Sequence, residues 1–242
     1  MERHDRTPVA TFFSETPFVA GETVGLSEGA AHHARVKRLE IGDLIRLTDG
    51  AGHRAIGAIQ ALDKKAATVS IDEVETVPSL GKIHLRVPVA DRDRMLWLAE
   101  KSTELGISSW QAVRFTRSLS VNPRGEGEAF REKVRARMVS ALEQSGGAWL
   151  PSLLADTSVE ALAATLSEKR ILLDVGGEPL ACIARGIADG ETTIVMGPEG
   201  GFESSEQQLF VQAGWTRARL ATNVLRFETA GIAAVAALRA AE

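Results

Sequence analysis

From residue 83 onward the chain alternates strand-like and helix-like segments, and no other feature restricts its possible folds so strongly. Ile83-His84-Leu85-Arg86-Val87-Pro88-Val89 reads as a strand. Arg94 to Leu105 reads as a helix, stopped by Gly106. Residues 107–115 suit a strand and 126–145 a long helix. Ile171 to Val175 and Thr192 to Met196 are two further strands, and a helix is predicted over 204–213. A short strand near Ala218-Arg219-Leu220 precedes a last helix over 228–240. Strands alternating with helices predict an α/β fold with a mainly parallel sheet.

The first part has a different rhythm. Asp43-Leu44-Ile45-Arg46-Leu47-Thr48 alternates apolar and polar residues before the turn signal Asp49-Gly50, and Ala67 to Ile71 alternates likewise. One helix is predicted from Glu28 to Leu39. These features give a small β-rich domain of barrel type over residues 1–78, with Val77-Pro78-Ser79 as its exit linker and 79–242 as the second domain.

Composition closes off several function classes. The single cysteine, Cys182, excludes an internal disulfide and a multi-cysteine metal site, and the five histidines show no metal-ligand spacing. No apolar run reaches the ~18 residues that suggest a membrane span. The start, MERHDRTPVA, is too charged for a signal peptide. A soluble, cytoplasmic protein with no structural metal and no membrane partner is expected. The net charge is −4, yet residues 81–150 carry 12 basic and 8 acidic side chains. A local basic face of this kind can meet phosphate; an ordinary solvated helix surface would look the same.

The strand Thr192 to Met196 runs into Met196-Gly197-Pro198-Glu199-Gly200-Gly201-Phe202, which has three glycines and little side chain. In open α/β sheets, ligands bind beyond the C-terminal ends of strands. Glycines let backbone groups approach a ligand with no Cβ in the way. The spacing fits neither a dinucleotide fingerprint nor a Walker loop. A tight strand-to-helix turn is the plainer reading. Ser204 and Gln207 fit a capping box for the next helix. A second stretch, Asn223-Val224-Leu225-Arg226-Phe227-Glu228-Thr229-Ala230, also follows a strand and opens the last helix.

Together these stretches resemble the SPOUT-class RNA methyltransferases, and most closely the family that methylates uracil N3 in 16S ribosomal RNA. Gly197–Gly201 and Leu225–Ala230 are similar to its GPEGG and LRxETA motifs. Lys101-Ser102-Thr103-Glu104-Leu105-Gly106 and Glu143-Gln144-Ser145-Gly146 match two more in order. The N-terminal run His33-Ala34-Arg35-Val36-Lys37-Arg38-Leu39-Glu40-Ile41-Gly42-Asp43 matches a fifth. The chain departs from the family pattern at Gly147, where an arginine is usual, and at Ala221 and Asn223, where glycine and arginine are frequent.

The resemblance implies a PUA-like RNA-binding domain followed by an α/β domain tied in a trefoil knot, a topology no periodicity suggests. It implies S-adenosyl-L-methionine as cofactor, held by Leu172, Leu173, Met196, Gly197, Pro198, Glu199, Gly200, Gly201, Leu220, Ala221, Asn223, Val224, Leu225 and Arg226. The substrate would be 16S ribosomal RNA or the small ribosomal subunit. Arg35, Lys37 and Arg38 are the candidate RNA-backbone contacts. Uracil N3 must lose a proton before it attacks. Glu199 and Glu228 are therefore candidate bases, and Arg226 is a candidate cation for charge delocalised onto O2 or O4. Glu228 equally suits the first turn of a helix through its dipole, and Arg226 a phosphate clamp or ion pair. A SPOUT enzyme acting on another RNA, or a non-catalytic RNA-binding module, would share much of this pattern. Trp97, Trp110, Trp149 and Trp215 are expected to pack in the core, and Cys182 to be a buried thiol. The last helix is apolar on nearly all faces. Its small residues Gly231, Ala233, Ala234, Ala236 and Ala237 suggest close approach by a second copy, a homodimer.

Overall fold

The computed structural model describes residues 7–120, 124–184 and 190–241. Its compact units do not follow the chain in two blocks. One comprises Met1–Ser79 with Val139–Leu150, and the other comprises Leu80–Met138 with Pro151–Glu242.

The first unit contains β1 (Thr11–Phe13), β2 (Thr23–Leu26), α1 (Glu28–Val36), β3 (Leu44–Thr48), β4 (His53–Leu62) and β5 (Ala67–Thr76). Its sheet has the order β1-β3-β4-β5-β2, with β1 parallel to β3 and the remaining pairs antiparallel. It is a mixed sheet with β1 and β2 at the ends of that order, and it forms the small β-rich domain that the sequence led one to expect. Bulges between Ile56 and Gly57 and between Ile59 and Ala61 disturb the long β4–β5 ladder, and bulges bend a sheet. Ser27 caps α1 by accepting from the Ala30 amide at 3.2 Å. The helix stops before Leu39 because Arg38 turns left-handed at φ 58°, as helix ends often do. Its Ala30, Ala31 and Ala34 join Phe12, Ile45, Leu47, Ile59, Val69 and Ile71 in the core.

Residues 139–150 belong with this unit for a hydrogen-bonding reason. They include the end of α3 (Glu128–Ser145), which stops at Gly146 with φ 68°. The last carbonyls of a helix have no partner within it. Here Arg54 donates to the Gly146 carbonyl and Thr48 Oγ1 to that of Gly147, both at 3.0 Å. Gly50 and Gly52 let the chain pass close to Leu150 and the Trp149 ring, leaving no room for a Cβ at either glycine.

The second unit is built on β6 (Ile83–Pro88), α2 (Arg92–Glu104), β7 (Ser109–Arg114), β8 (Ser152–Leu153), β9 (Thr157–Ser158), α4 (Val159–Ala163), β10 (Lys169–Pro179), α5 (Leu180–Ala184), β11 (Thr192–Met196), α6 (Ser204–Gln212), β12 (Thr216–Arg219) and α7 (Phe227–Arg239). A 3₁₀ turn at Thr116–Ser120 follows β7. The strands pair in parallel in the order β12-β10-β11-β6-β7-β8, with β9 also on β7. β11 is buried at every position, as expected of a strand covered on both faces. Leu172 and Val195 pack with Phe210, Trp215 and Leu162 on one side. On the other, Gly231 brings α7 against α2 and β11; a Cβ there would lie 2.9 Å from Leu98 Cδ1 and 3.1 Å from Met196 Sδ.

Several expectations need correction. Trp110 and Trp215 are buried, but Trp97 is 45% and Trp149 40% exposed. Trp97 lies on an open position of α2, and Trp149 lies over Gly52 with its indole N–H donated to the Val77 carbonyl. Cys182 is exposed, because the short α5 does not bury that position. Ala234 and Gly231 are buried inside the chain's own packing. The small residues of α7 left open are Ala236 and Ala237, with Ile232 and Ala233 partly so.

Candidate active site

A cavity of about 300 Å³ opens at the C-terminal ends of β10, β11 and β12. That volume is at the low end of small-molecule sites. Three backbone segments form it. The first is the bulge in β10, where Leu173 and Glu178 both align with Ala218 and the residues between them loop out. Gly177 makes this possible, since a Cβ there would fall 2.5 Å from the backbone of Arg217 and Ala218. The loop carries Asp174 and Val175 to the cavity wall. The second segment is the glycine loop after β11, contributing Met196, Gly197, Pro198, Gly201 and Phe202. The third is the connection to α7, contributing Leu220, Ala221, Asn223, Val224 and Leu225.

The glycine loop is held from below and from the side. Gly201 has φ 72°, and a Cβ at Gly197 would lie 3.0 Å from the Phe202 ring. Phe202 meets Phe115 and Phe210 edge-on at 5.3 and 6.2 Å, and Phe210 meets Trp215 at 5.0 Å. Arg117 donates to the Gly200 carbonyl at 2.6 Å and pairs with Glu203 at 2.7 Å. The capping box of α6 sits one residue earlier than expected. Glu203 is the N-cap, and Glu206 reaches back to its amide at 2.8 Å. Asp174 is fixed by Gln207 at 2.8 Å and Arg217 at 2.8 Å, with its other oxygen on the Gly176 amide at 2.9 Å.

A charged cluster lies beside this cavity. Arg94, near the start of α2, reaches Glu199 of the glycine loop at 3.5 Å and Glu228 of α7 at 3.9 Å. Glu228 is buried, and its Oε2 has no hydrogen-bond partner among the described residues. A buried, unsatisfied carboxylate is costly and marks sites kept for a reason other than stability.

Residues 77–239 match the family model described as RNA methyltransferase domain. The chain belongs to this RNA methyltransferase family. Residues 26–72 match a second model, RNA methyltransferase PUA domain. The methyltransferase is 27% identical to ribosomal RNA small subunit methyltransferase E of Aquifex aeolicus, over 94% of this chain and 97% of that one. It is 25% identical to the protein of the same name from Rickettsia conorii, over 88% and 87%. It is also similar to the crystal structure of that methyltransferase from Neisseria gonorrhoeae bound to S-adenosyl methionine, with TM-score 0.83, 25% identity, and 96% and 97% coverage.

The structure distributes the residues singled out by sequence in three ways. Leu173, Met196, Gly197, Pro198, Gly201, Leu220, Ala221, Asn223, Val224 and Leu225 of the methyltransferase line the cavity. Leu172 does not, because alternation along β10 turns it into the core on the opposite side from Leu173. Glu199, Gly200 and Arg226 lie outside the lining: Gly200 is packed on Arg117, Glu199 faces Arg94, and Arg226 is exposed at the N-cap of α7 with no ion pair among the described residues. Arg35, Lys37 and Arg38 are exposed around the end of α1. Sequence reasoning missed Arg94, Arg117, Asp174, Val175, Phe202, Gln207, Arg219 and Phe227. Arg94 had a usable signal, a cation one turn into a helix that follows a strand end. Asp174 directly follows two residues already singled out.

Proposed function

We propose that this methyltransferase transfers a methyl group from S-adenosyl-L-methionine to N3 of a uracil in 16S ribosomal RNA of the small subunit. The observation that carries the reading is the cavity framed by the β10 bulge, the glycine loop and residues 220–225, with a buried carboxylate and a cation beside it. Apolar walls from Leu173, Val175, Leu220 and Leu225, next to bare backbone and Asn223, fit a small molecule that is part aromatic and part zwitterionic. The cofactor supplies a methyl group already activated by its sulfonium; the protein supplies orientation and electrostatics. Glu228 accepts the N3 proton, Arg226 steadies charge on the uracil oxygens, and Arg94 holds Glu199 and Glu228 in register. The trefoil knot that the family resemblance implies is part of the same reading. The place of action would be the cytoplasm; no helix among the described residues is long and apolar enough to cross a membrane.

Label from the methyl-labelled cofactor is expected in 16S ribosomal RNA, at one uridine. A methyl at N3 blocks Watson–Crick pairing, so a reverse-transcription stop locates it. Absence of label in any ribosomal RNA would overturn the assignment, and label on another RNA would redirect it.

Arg35, Lys37 and Arg38 contact the RNA backbone on this reading. Replacing all three by glutamine is expected to flatten the salt dependence of RNA binding, because each lost phosphate contact releases roughly one counterion fewer. An unchanged slope would return the run to an ordinary solvated surface.

The methyltransferase acts as a homodimer on the same reading, with Ile232, Ala233, Ala236 and Ala237 of α7 as the open stripe a second copy would cover. Light scattering at micromolar concentration should give about twice the 25.9 kDa chain. Ala237→Glu tests the surface better than a charge at Ala234, since Ala237 is exposed and Ala234 is buried in its own subunit. A mass that stays near a single chain would exclude the dimer.

A further inference from the structure

A second cavity, about 440 Å³, lies wholly within the first unit, between the start of β1, α1 and the end of α3. Its lining includes Ala10, His33, Lys37, Ser140, Glu143 and Gln144. We propose that this cleft binds a guanine nucleotide of the RNA substrate, with the base edge on Glu143 and a phosphate at Lys37. The proposal rests on the RNA methyltransferase reading and adds a base-reading subsite to it.

The chemistry starts with Glu143. Its Oε1 accepts the Phe13 amide at 2.9 Å. Among the described residues its Oε2 makes no hydrogen bond: the His33 ring lies 4.0 Å away, too far for one, and Lys37 lines the same cleft. The carboxylate therefore keeps unused acceptor capacity in a cleft wide enough for a base. An ionised carboxylate only accepts, so it selects a base that presents donors. Guanine alone carries two adjacent donors on its Watson–Crick edge, N1–H and the exocyclic amine, and these match a carboxylate in a two-bond pairing. Uracil flanks its one N–H with carbonyls that repel a carboxylate. Adenine and cytosine place an acceptor beside their amino group. Ser140 and Gln144 add hydrogen-bonding groups, and Lys37 supplies the charge a phosphate needs.

The cost of keeping Glu143 supports a binding role. Burial pushes its carboxyl above the usual range, and the Phe13 amide and the charges of His33 and Lys37 offset this only in part. With the folded value above the unfolded one, its contribution to stability is complete below the unfolded pKa and is lost as pH rises through the folded one. At neutral pH that contribution is therefore reduced. Glu143→Gln, which keeps an acceptor for the Phe13 amide, should leave Tm at pH 7 equal or higher.

The test uses the full chain and free nucleotides, followed by the proton resonances of the His33 ring, identified from a His33→Gln spectrum. GMP is expected to shift them. AMP and UMP should bind at least about tenfold more weakly, the scale of one lost charge-assisted hydrogen bond. IMP, which keeps N1–H but lacks the amine, should fall between. Glu143→Gln should abolish the preference for GMP while leaving affinity for S-adenosyl-L-methionine unchanged. Equal binding of AMP and GMP, or a GMP preference that survives Glu143→Gln, would overturn the proposal. The nucleotide comparison on the unmodified protein decides the matter even if the variant folds poorly. Wild-type protein that methylates ribosomal RNA without a guanine preference removes only this subsite; protein that methylates no RNA removes the functional reading itself.

Discussion

Glu228→Gln is expected to lower the single-turnover rate of methyl transfer by about 10²-fold or more, the usual scale of a lost general base. Affinity for S-adenosyl-L-methionine should not change, because Glu228 lies outside the cavity lining. The argument is geometric. Glu228 is 8% exposed, one oxygen has no hydrogen-bond partner among the described residues, and the other is 3.9 Å from Arg94. Gln keeps the size and one acceptor but cannot take a proton. Its folding stability should hold or rise, since a neutral amide costs less to bury than a carboxylate. Arg226→Ala provides the companion measurement, with a loss on the order of 10²-fold in rate and little change in cofactor affinity. If Glu228→Gln transfers methyl groups at the unmodified rate, the carboxylate only complements the dipole of α7. Glu199→Gln then becomes the variant to assay for the base.

Phe210→Ala is expected to cost ~3–5 kcal/mol of folding stability, the range for truncating a buried phenylalanine. For a chain of this size that is a fall in Tm on the order of 10 °C. Phe210 is fully buried and joins Trp215 to Phe202 in the edge-to-face series. Phe202 in turn touches Gly197 and the cavity. Cofactor affinity should therefore fall as well, at temperatures where the variant is still folded. Thermal denaturation and calorimetric titration with S-adenosyl-L-methionine separate the two effects. A Tm within a degree or two of the unmodified protein would show that the cavity left by the ring collapses, and that the loop does not depend on it.

Much of the second unit was legible because its strands and helices have contrasting periods. Thr192–Met196 is an unbroken β-branched run ending in methionine, and a strand buried on both faces reads that way. α2 announced its end with Gly106, which is left-handed in the structure. Elements with little apolar period were not legible. β8 and β9 are two residues each, and α4 is five. β8 and β9 exist because they pair with β7, and α4 because its Val159, Leu162 and Ala163 pack into the core with Val113 and Phe210. The continuation of β10 through Gly176-Gly177 was also unreadable. Two glycines normally signal a turn, and only the closeness of β12 makes them part of a strand.

By itself the sequence determined the α/β character, the bare backbone at Gly197–Gly201 and the residue types that stand beside it. These follow from local period, conformational freedom and side-chain chemistry, all properties of short stretches. Tertiary structure alone decided which side chains meet. Arg94, Glu199 and Glu228 are scattered over more than half the chain, and no local pattern links them. Residues 139–150 joined the first unit because the carbonyls ending α3 find donors in Arg54 and Thr48. Leu172 and Leu173 are neighbours of the same type, yet one is core and the other lines the cavity. The pleat sends them to opposite faces, and only the packed helices and loops determine what each face meets.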